Sequence, residues 1–535
     1  MESNGGVDDA RPSPPSRRPA FAALAGLLAA AAGLASAELA AVAVRPESSP
    51  VTAVGEAVID RTPPAVKEWA IATFGTADKL ALQCGIVLLL ALYAAGLGLL
   101  TLARRVPGRP LAAAGALAFG AVGAAAAWSR PDAQPSDAGP SLLGSVIAAV
   151  VLLVLARRIP GTTPPGDADD APATGRRAFL VAAATATAAS AGGGALARTL
   201  RGAETAQAEA ARTAVRLPAP DSPAPPVSRG AQLSVRGLDP YFTPNDRFYR
   251  IDTALSVPHV DAEAWQLTIH GRGVPQPLTL SYRDLLRREI VERDITLTCV
   301  SNTVGGNLVG NARWLGVRLA DLLREAGVRP PSEGGPADQL VARSVDGMTL
   351  GSPVETVMDG RDALLAIGMN GEPLPFEHGF PVRMVVPGLY GYVSACKWLQ
   401  DLELTRFSDF DAYWIRGGWS PDGPIKTQSR IDTPGHSATV QPGTVPVAGV
   451  AWAQHTGIDR VEVRVDDGPW HEAELAEEAS VDTWRQWVWQ WEATAGTHVL
   501  EVRATDRTGE TQTAEESGAV PDGATGHHRV TVHVS

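Results

Sequence analysis

Apolar residues are not spread evenly along this chain; they gather into five long runs near its start. The runs are Ala20–Val44, Leu80–Leu102, Leu111–Trp128, Pro140–Ala156 and Ala178–Ala197. A helix needs about 20 apolar residues to cross the hydrocarbon of a bilayer, so each run predicts a spanning helix, with the fourth at the short limit. Polar alternation replaces these runs later. "AWQLTIHG" (Ala264–Gly271) alternates as a strand. "SYRDLLRRE" and "VRLADLLREAG" carry helical spacing, the first behind a Ser cap and the second ended by Gly327. "GFPVRMVVPG" is a strand between turns. Strands and short helices mix without regular βαβ alternation, which predicts an α+β domain. From about Asp411, short alternating segments such as "RVEVRVDDGPWHEAEL" and "WRQWVWQWEA" predict an immunoglobulin-like β-sandwich without a Cys pair.

The expected division is therefore a membrane domain over 1–175 and a fifth spanning helix over 176–200. A Pro-rich tether over 201–232, an α+β domain over 233–410 and the sandwich over 411–535 follow. Basic pairs precede run one (Arg17–Arg18), follow run two (Arg104–Arg105), follow run four (Arg157–Arg158) and precede run five (Arg176–Arg177). With the N-terminus inside and five crossings, all of them lie on the cytoplasmic side and the polar part lies outside. Removing the fourth run would split the pairs across the membrane. Run one also contains a small-residue A-S-A at Ala35–Ala37, the mark of a cleaved signal. Its continuation to Val44 favours a retained helix. Glu38, inside that run, reads either as a quinone or proton site or as a carboxyl near the outer interface, solvated or protonated; the latter is favoured. "TGRRAFLVAAATATAASAGGGALA" (Thr174–Ala197) resembles a twin-arginine export signal, against the alternative of an ordinary positive-inside anchor.

Charge and composition narrow the chemistry. The chain has 535 residues and a formal net charge of −12. No dense Lys/Arg patch appears in the polar part, so nucleic acid is not expected as a partner. All ten histidines lie between His259 and His533, which leaves no bis-histidine haem b in the membrane domain. The three cysteines cannot make a disulfide framework. Cys84 lies in an apolar run; Cys299 and Cys396 are the two that could pair.

Cys299 follows the apolar, β-branched run Ile295–Thr298 and precedes Ser301, Asn302, Gly305 and Gly306. A thiol at a strand end, beside a loop that lets a ligand approach, reads as a nucleophile or as a soft metal ligand. A simply buried cysteine and a Cys299–Cys396 disulfide remain as alternatives.

A second stretch, Ala366–Leu404, contains M-N-G-x-P-L-P, then H-G-F-P-x-R-x-x-x-P-G, then G-x-x-x-x-K-W. In this order the motifs resemble the signature of the sulfite oxidase family of molybdopterin enzymes. "ITLTCVSN" resembles that family's metal-binding strand end, and "GNARWLGVRLADLL" also matches. The resemblance runs from about Leu233 to the end and includes the sandwich, which is similar to the family's dimerisation domain.

The resemblance implies Cys299 as the protein thiolate on molybdenum, beside a pterin dithiolene and oxo groups. It implies Arg383 and Lys397 on the pterin phosphate, with His378, Asn302, Arg250 and Ser394 as further cofactor contacts. Trp314 would line the substrate pocket, with Arg313 as a nearby cation. Two departures stand out. Thr303 occupies the place of a substrate-binding arginine. Asp252, Thr253 and Ala254 replace an Arg-Asn-His cofactor motif, with Arg250 just upstream. They weaken sulfite as the substrate more than molybdopterin as the cofactor.

The expected protein is a multi-pass membrane oxidoreductase with its catalytic domain outside the cell membrane, performing two-electron oxygen-atom transfer on a small oxyanion or oxide. Its partners would be a separate electron carrier (no C-x-x-C-H is present), membrane lipid and a second copy through the sandwich. An S- or N-oxide reductase of the same family is the alternative within that chemistry. A non-catalytic, membrane-anchored binding module is the alternative outside it.

Overall fold

The computed structural model describes residues 18–63, 66, 78–103, 107–130, 133–159 and 171–535. These fall into two compact units, Met1–Glu204 and Thr205–Ser535.

The first unit is helical: α1 (Arg18–Val44), α2 (Pro50–Arg61), α3 (Asp78–Leu100), α4 (Gly108–Trp128), α5 (Gly139–Arg157) and the start of α6 (Ala171–Ala214). Among the described residues, five helices are long and apolar enough to cross a membrane. They pack through small residues. A side chain at Gly26 or Gly98 of α1 and α3 would strike the facing backbone at Ala94 or Ala22, and Gly33 of α1 meets Gly144 of α5 in the same way. Apolar side chains gain little by leaving lipid for one another, so close backbone approach is what holds such helices together.

The α1 and α6 N-termini meet through Phe21 and Phe179, whose ring centroids lie 5.0 Å apart. Arg109, at the start of α4, donates to the Ala156 carbonyl at the end of α5 (3.1 Å). Arg18, Arg157, Arg158, Arg176 and Arg177 therefore gather at one end of the bundle. Arg17, Arg104 and Arg105 lie outside the described residues. At the other end Glu38 accepts from Ser49 Oγ (2.6 Å) and pairs with Arg201 (2.6 Å). Glu38 thus lies between a hydroxyl and a guanidinium at that end.

Two features of the helical region differ from the sequence reading. The short helix α2 has no counterpart in it. The fifth run does not stop at Ala197: α6 continues to Ala214 through "ETAQAEAARTA", whose Ala, Glu and Gln are good helix formers. Only the Pro-rich remainder is extended, and it is not a free tether. Asp221 N–H donates to the Ile290 carbonyl (2.7 Å), and Glu292 N–H donates to the Ser222 carbonyl (2.9 Å).

The second unit opens with an α+β part. Its strands are β1 (Gln266–Gly271), β2 (Leu278–Ser281), β3 (Val291–Thr298), β4 (Val309–Arg318), β5 (Gln339–Ser344), β6 (Thr349–Pro353), β7 (Leu364–Met369), β8 (Glu372–Pro373), β9 (Arg383–Val385) and β10 (Leu399–Thr405). They form one sheet ordered β2-β1-β10-β5-β6 and another ordered β3-β4-β7-β8, with β9 on β7. One apolar core joins the two sheets.

The sandwich follows with β11 (Gln428–Thr433), β12 (Ala438–Val440), β13 (Gly443–Trp452), β14 (Ile458–Val465), β15 (His471–Glu472), β16 (Glu474–Leu475), β17 (Arg485–Ala493), β18 (Gly496–Asp506) and β19 (His528–Val534). Its sheets run β11-β13-β17-β16 and β12-β19-β18-β14-β15. Trp487, Trp491 and Ala493 of β17 point into its core at the two-residue strand period. The sandwich starts at Gln428 rather than Asp411; residues 411–427 belong to the α+β part.

Candidate active site

Strands β3 and β4 are antiparallel up to the pair Thr298↔Val309. The loop between them is closed by its own polar groups. Cys299 N–H donates to the Leu308 carbonyl (2.9 Å), and Leu308 N–H donates to Asn302 Oδ1 (2.8 Å). Gly305 has φ +73°, and a side chain there would strike the His528 imidazole. Both the left-handed backbone and the close approach require glycine. The sandwich braces this strand end. Arg430 donates to the Gly306 carbonyl (2.9 Å), and Gln454 Nε2 donates to Thr298 Oγ1 (2.9 Å). Cys299 is consequently held at a fixed point, 8% exposed, facing an open cavity.

The opposite wall comes from the turn before β9 and from the segment leading into β10. His378, Arg383 and Lys397 all line the cavity. Gly379 (φ +105°) lets the turn pack on Lys397, whose Cα would lie 3.0 Å from a side chain at that position. The His378 Nε2–H donates to the Asn245 carbonyl (2.9 Å). Burial pushes its imidazole down to about 4, so it is neutral near pH 7.

Lys397 Nζ reaches Asp252 (2.7 Å) and the Glu377 carbonyl (3.2 Å). Burial draws it down to about 8, against the pull of Asp252. Arg383 is 5% exposed, and its guanidinium lies 5.0 Å from the centroid of the Trp314 ring. Its Nη1 donates to the His378 carbonyl (3.2 Å), while its Nε, also buried, has no partner. Burial lowers it to about 10. The Cys299 thiol is pushed up to about 11, again by burial.

The structure thus brings together Cys299, His378, Arg383 and Lys397. Arg250 stands at the edge and acts on the cavity through Asp252, with its Nε 2.8 Å from that carboxylate. Four expected site residues are placed elsewhere. Trp314 is fully buried and gives its indole N–H to the Ile295 carbonyl (3.0 Å); it backs Arg383 and does not line the cavity. Arg313 forms a two-point pair with Asp294 (2.7 and 2.9 Å) and lies over Phe242. Asn302 shapes the Cys299 loop. Ser394 donates to the Leu389 and Tyr390 carbonyls (2.9 and 3.0 Å) inside the core. Cys299 and Cys396 are both free thiols, so they form no disulfide.

Sequence reasoning missed Tyr249, Asp346, Met348, Trp414 and Trp419, which complete the walls. Tyr249 adjoins Arg250 in the altered cofactor motif, and that adjacency is the available signal. The strand pattern places the aromatic cluster "YWIRGGW" in the sandwich, which hides its role.

The donor set fits a metal-bearing, anionic organic group. Among the described residues no three His, Cys, Asp or Glu side chains gather to hold a metal. A metal beside Cys299 must therefore bring most of its own ligands. Lys397 is paired with the buried Asp252 carboxylate, and Arg383 Nε is left with a free donor. Two cationic side chains, Arg383 and Lys397, line one cavity, which suits an anion there.

Residues 254–414 match the oxidoreductase molybdopterin binding domain family, and residues 428–502 match the bacterial Ig domain family. The chain is 34% identical over 292 residues to mitochondrial sulfite oxidase of Mus musculus, covering 47% of this chain and 53% of that protein. It is 33% identical over 163 residues to the uncharacterized oxidoreductase YuiH of Bacillus subtilis, covering 30% of this chain and 76% of that protein. The sulfane dehydrogenase SoxCD structure from Paracoccus pantotrophus aligns at 24% identity with a TM-score of 0.48, over 56% of this chain and 84% of that one. The chain spans about half the length of the mitochondrial sulfite oxidase it matches.

Proposed function

Because the chain belongs to the sulfite oxidase-like family of molybdopterin-dependent oxidoreductases, we propose that it is a membrane-anchored enzyme of two-electron oxygen-atom transfer, its catalytic unit outside the cell membrane. One observation carries the reading. A buried thiol, Cys299, and a buried guanidinium, Arg383, line the same cavity. When bound, a molybdenum–pterin group supplies the two-electron change at the metal.

The chain's own residues hold and orient that group. Cys299 gives a thiolate to the metal, which offsets the cost of removing a proton from so buried a thiol. Arg383 and Lys397 take the cofactor's anionic phosphate. His378, neutral and anchored through Nε2–H, offers Nδ1 as an acceptor. Asp252 fixes Lys397 and Arg250. Trp314 holds Arg383 in place, Asn302 holds the Cys299 loop, and Ser394 holds the turn after Leu389. Arg313 acts through Asp294 on strand β3.

The oxidised or reduced substrate is a small oxyanion or an oxide. An S- or N-oxide with an apolar substituent is favoured over sulfite. The position of a substrate arginine is the exposed Thr303, and Met348, Trp414 and Trp419 make one wall apolar. Basic residues at one end of the helical unit support a cytoplasmic N-terminus, and the Arg176–Arg177 pattern supports export of a folded, cofactor-loaded domain. A separate electron carrier and a homodimer through the sandwich complete the proposal.

Molybdenum and pterin content of the purified full chain tests it. About one molybdenum per chain with releasable pterin is expected. A folded protein without molybdenum, from cells that load other molybdoenzymes, would overturn it in favour of a binding module.

A further inference from the structure

Tyr249 lines the Cys299 cavity and belongs to neither its thiol nor its pair of cations. The ring is fixed. It stacks on Phe248, with centroids 5.2 Å apart and planes 20° apart. Phe248 in turn meets Trp314 (5.9 Å) and His378 (5.5 Å) edge to face. The hydroxyl lies by the strand end that carries Cys299. A side chain at Gly391, which also lines the cavity, would touch both the Tyr249 Oη and the Thr298 carbonyl at 3.7 Å, so the two border one small space.

Among the described residues this hydroxyl has no hydrogen-bond partner, whereas Tyr392, the other tyrosine of the wall, donates to the Ser420 carbonyl. Tyr249 is half-buried, and its hydroxyl, unlike the Arg383 Nε, is not sealed off. Burial, then the nearby Cys299 sulfur, hold the phenol above its ordinary range, so it stays neutral and keeps a proton to donate. The apolar wall of the same cavity is preformed. Trp419 packs on Tyr392, with centroids 5.8 Å apart, and gives its backbone N–H to the Trp414 carbonyl (3.2 Å).

A neutral donor selects among oxygens. The oxygen of an S- or N-oxide is a strong acceptor on a group of no net charge, and a phenol meets it without stranding a charge in the cavity. Sulfite is an anion and is better matched by a cation. Thr303 stands at the place of that cation, and Arg383 and Lys397 serve the cofactor's phosphate.

We propose that Tyr249 binds the substrate: its hydroxyl donates to the oxygen of an S- or N-oxide beside Cys299, and the apolar substituent lies against Trp414 and Trp419. This rests on the reading of the cavity as an oxide site and adds the group that holds the oxygen.

The cofactor-loaded full chain, oxidised and without a reductant, would be titrated by calorimetry with methyl phenyl sulfoxide, which then binds without turnover. Isopropylbenzene, of nearly the same shape and with no acceptor, is the control. Molybdenum is measured on the same samples. Tyr249→Phe should keep its molybdenum, bind the sulfoxide about three- to tenfold more weakly, the span of one neutral hydrogen bond, and bind isopropylbenzene as the wild type does. The variant loses a hydroxyl without a partner in the fold, so its thermal unfolding should match the wild type. Unchanged sulfoxide binding in a molybdenum-replete Tyr249→Phe protein overturns the proposal and leaves the reading of the cavity standing. Equal weakening of both ligands, or a molybdenum-replete wild type that takes no sulfoxide, overturns it as well. A wild type without molybdenum overturns the underlying reading, and the proposal with it.

Discussion

Replacing Arg383 by Met should leave the stability of the cofactor-free protein nearly unchanged while weakening cofactor retention. Burial takes this guanidinium from 12.5 to about 10. At about 1.4 kcal/mol for each tenfold in the proton equilibrium, that corresponds to about 3 kcal/mol of cost for keeping the charge in the cofactor-free fold. The sign follows from the lowered folded value. The group is charged in both states at pH 7, so the cost is fully present there and is relieved only above about pH 10. Arg383→Met removes it, but loses the contact with the Trp314 ring, worth about 1–2 kcal/mol, and the Nη1 hydrogen bond to the His378 carbonyl, worth about 1.5–3 kcal/mol. Gain and loss nearly cancel, so the cofactor-free variant should stay within about 1–2 kcal/mol of the wild type, read as the urea midpoint in protein from cells that make no pterin. With cofactor the balance turns to a loss. Losing a charge-assisted hydrogen bond to an anion costs about 1.5–3 kcal/mol, or roughly ten- to a hundredfold in retention, read as molybdenum per chain after gel filtration. An Arg383→Met protein that keeps its full molybdenum and is more than about 3 kcal/mol less stable when empty would refute the reasoning and make Arg383 a structural residue.

Three further outcomes are expected. Cys299→Ser should abolish turnover while retaining part of the pterin, because Arg383 and Lys397 still hold the phosphate; full activity in this variant would exclude the thiolate as a ligand. Arg313→Met should leave molybdenum content unchanged and cost about 2 kcal/mol in unfolding experiments, since it strands the buried Asp294 carboxylate. A large loss of turnover in a stable Arg313→Met protein would return Arg313 to the chemistry. The neutral, buried His378, near 4 when folded and about 6.5 when unfolded, should make the cofactor-free protein lose about 2 kcal/mol between pH 7 and pH 5. The loss begins as pH falls below 6.5 and is complete near pH 4; His378→Gln should flatten that slope in urea titrations.

Much of this protein was legible one segment at a time. Five apolar runs announced five helices because bilayer thickness sets a length that hydropathy alone can meet. Cys299 at the end of an apolar strand, and His378, Arg383 and Lys397 within one ordered motif, were visible because each signal lies within a few dozen residues. The strand alternation of the sandwich has a two-residue period and needed no partner to be seen. Tertiary structure decided what local pattern could not. Arg313 and Trp314 are neighbours on β4, and successive side chains of a strand point to opposite faces. Trp314 therefore backs Arg383, while the β3–β4 register sets Arg313 against Asp294. Asp252 meets Lys397 across 145 positions, and His528 of the last strand packs against the Cys299 loop at Gly305. Periodicity reports the face a residue takes within its own element. Register and packing between distant elements decide what that face meets, and chemistry at a buried site depends on that meeting.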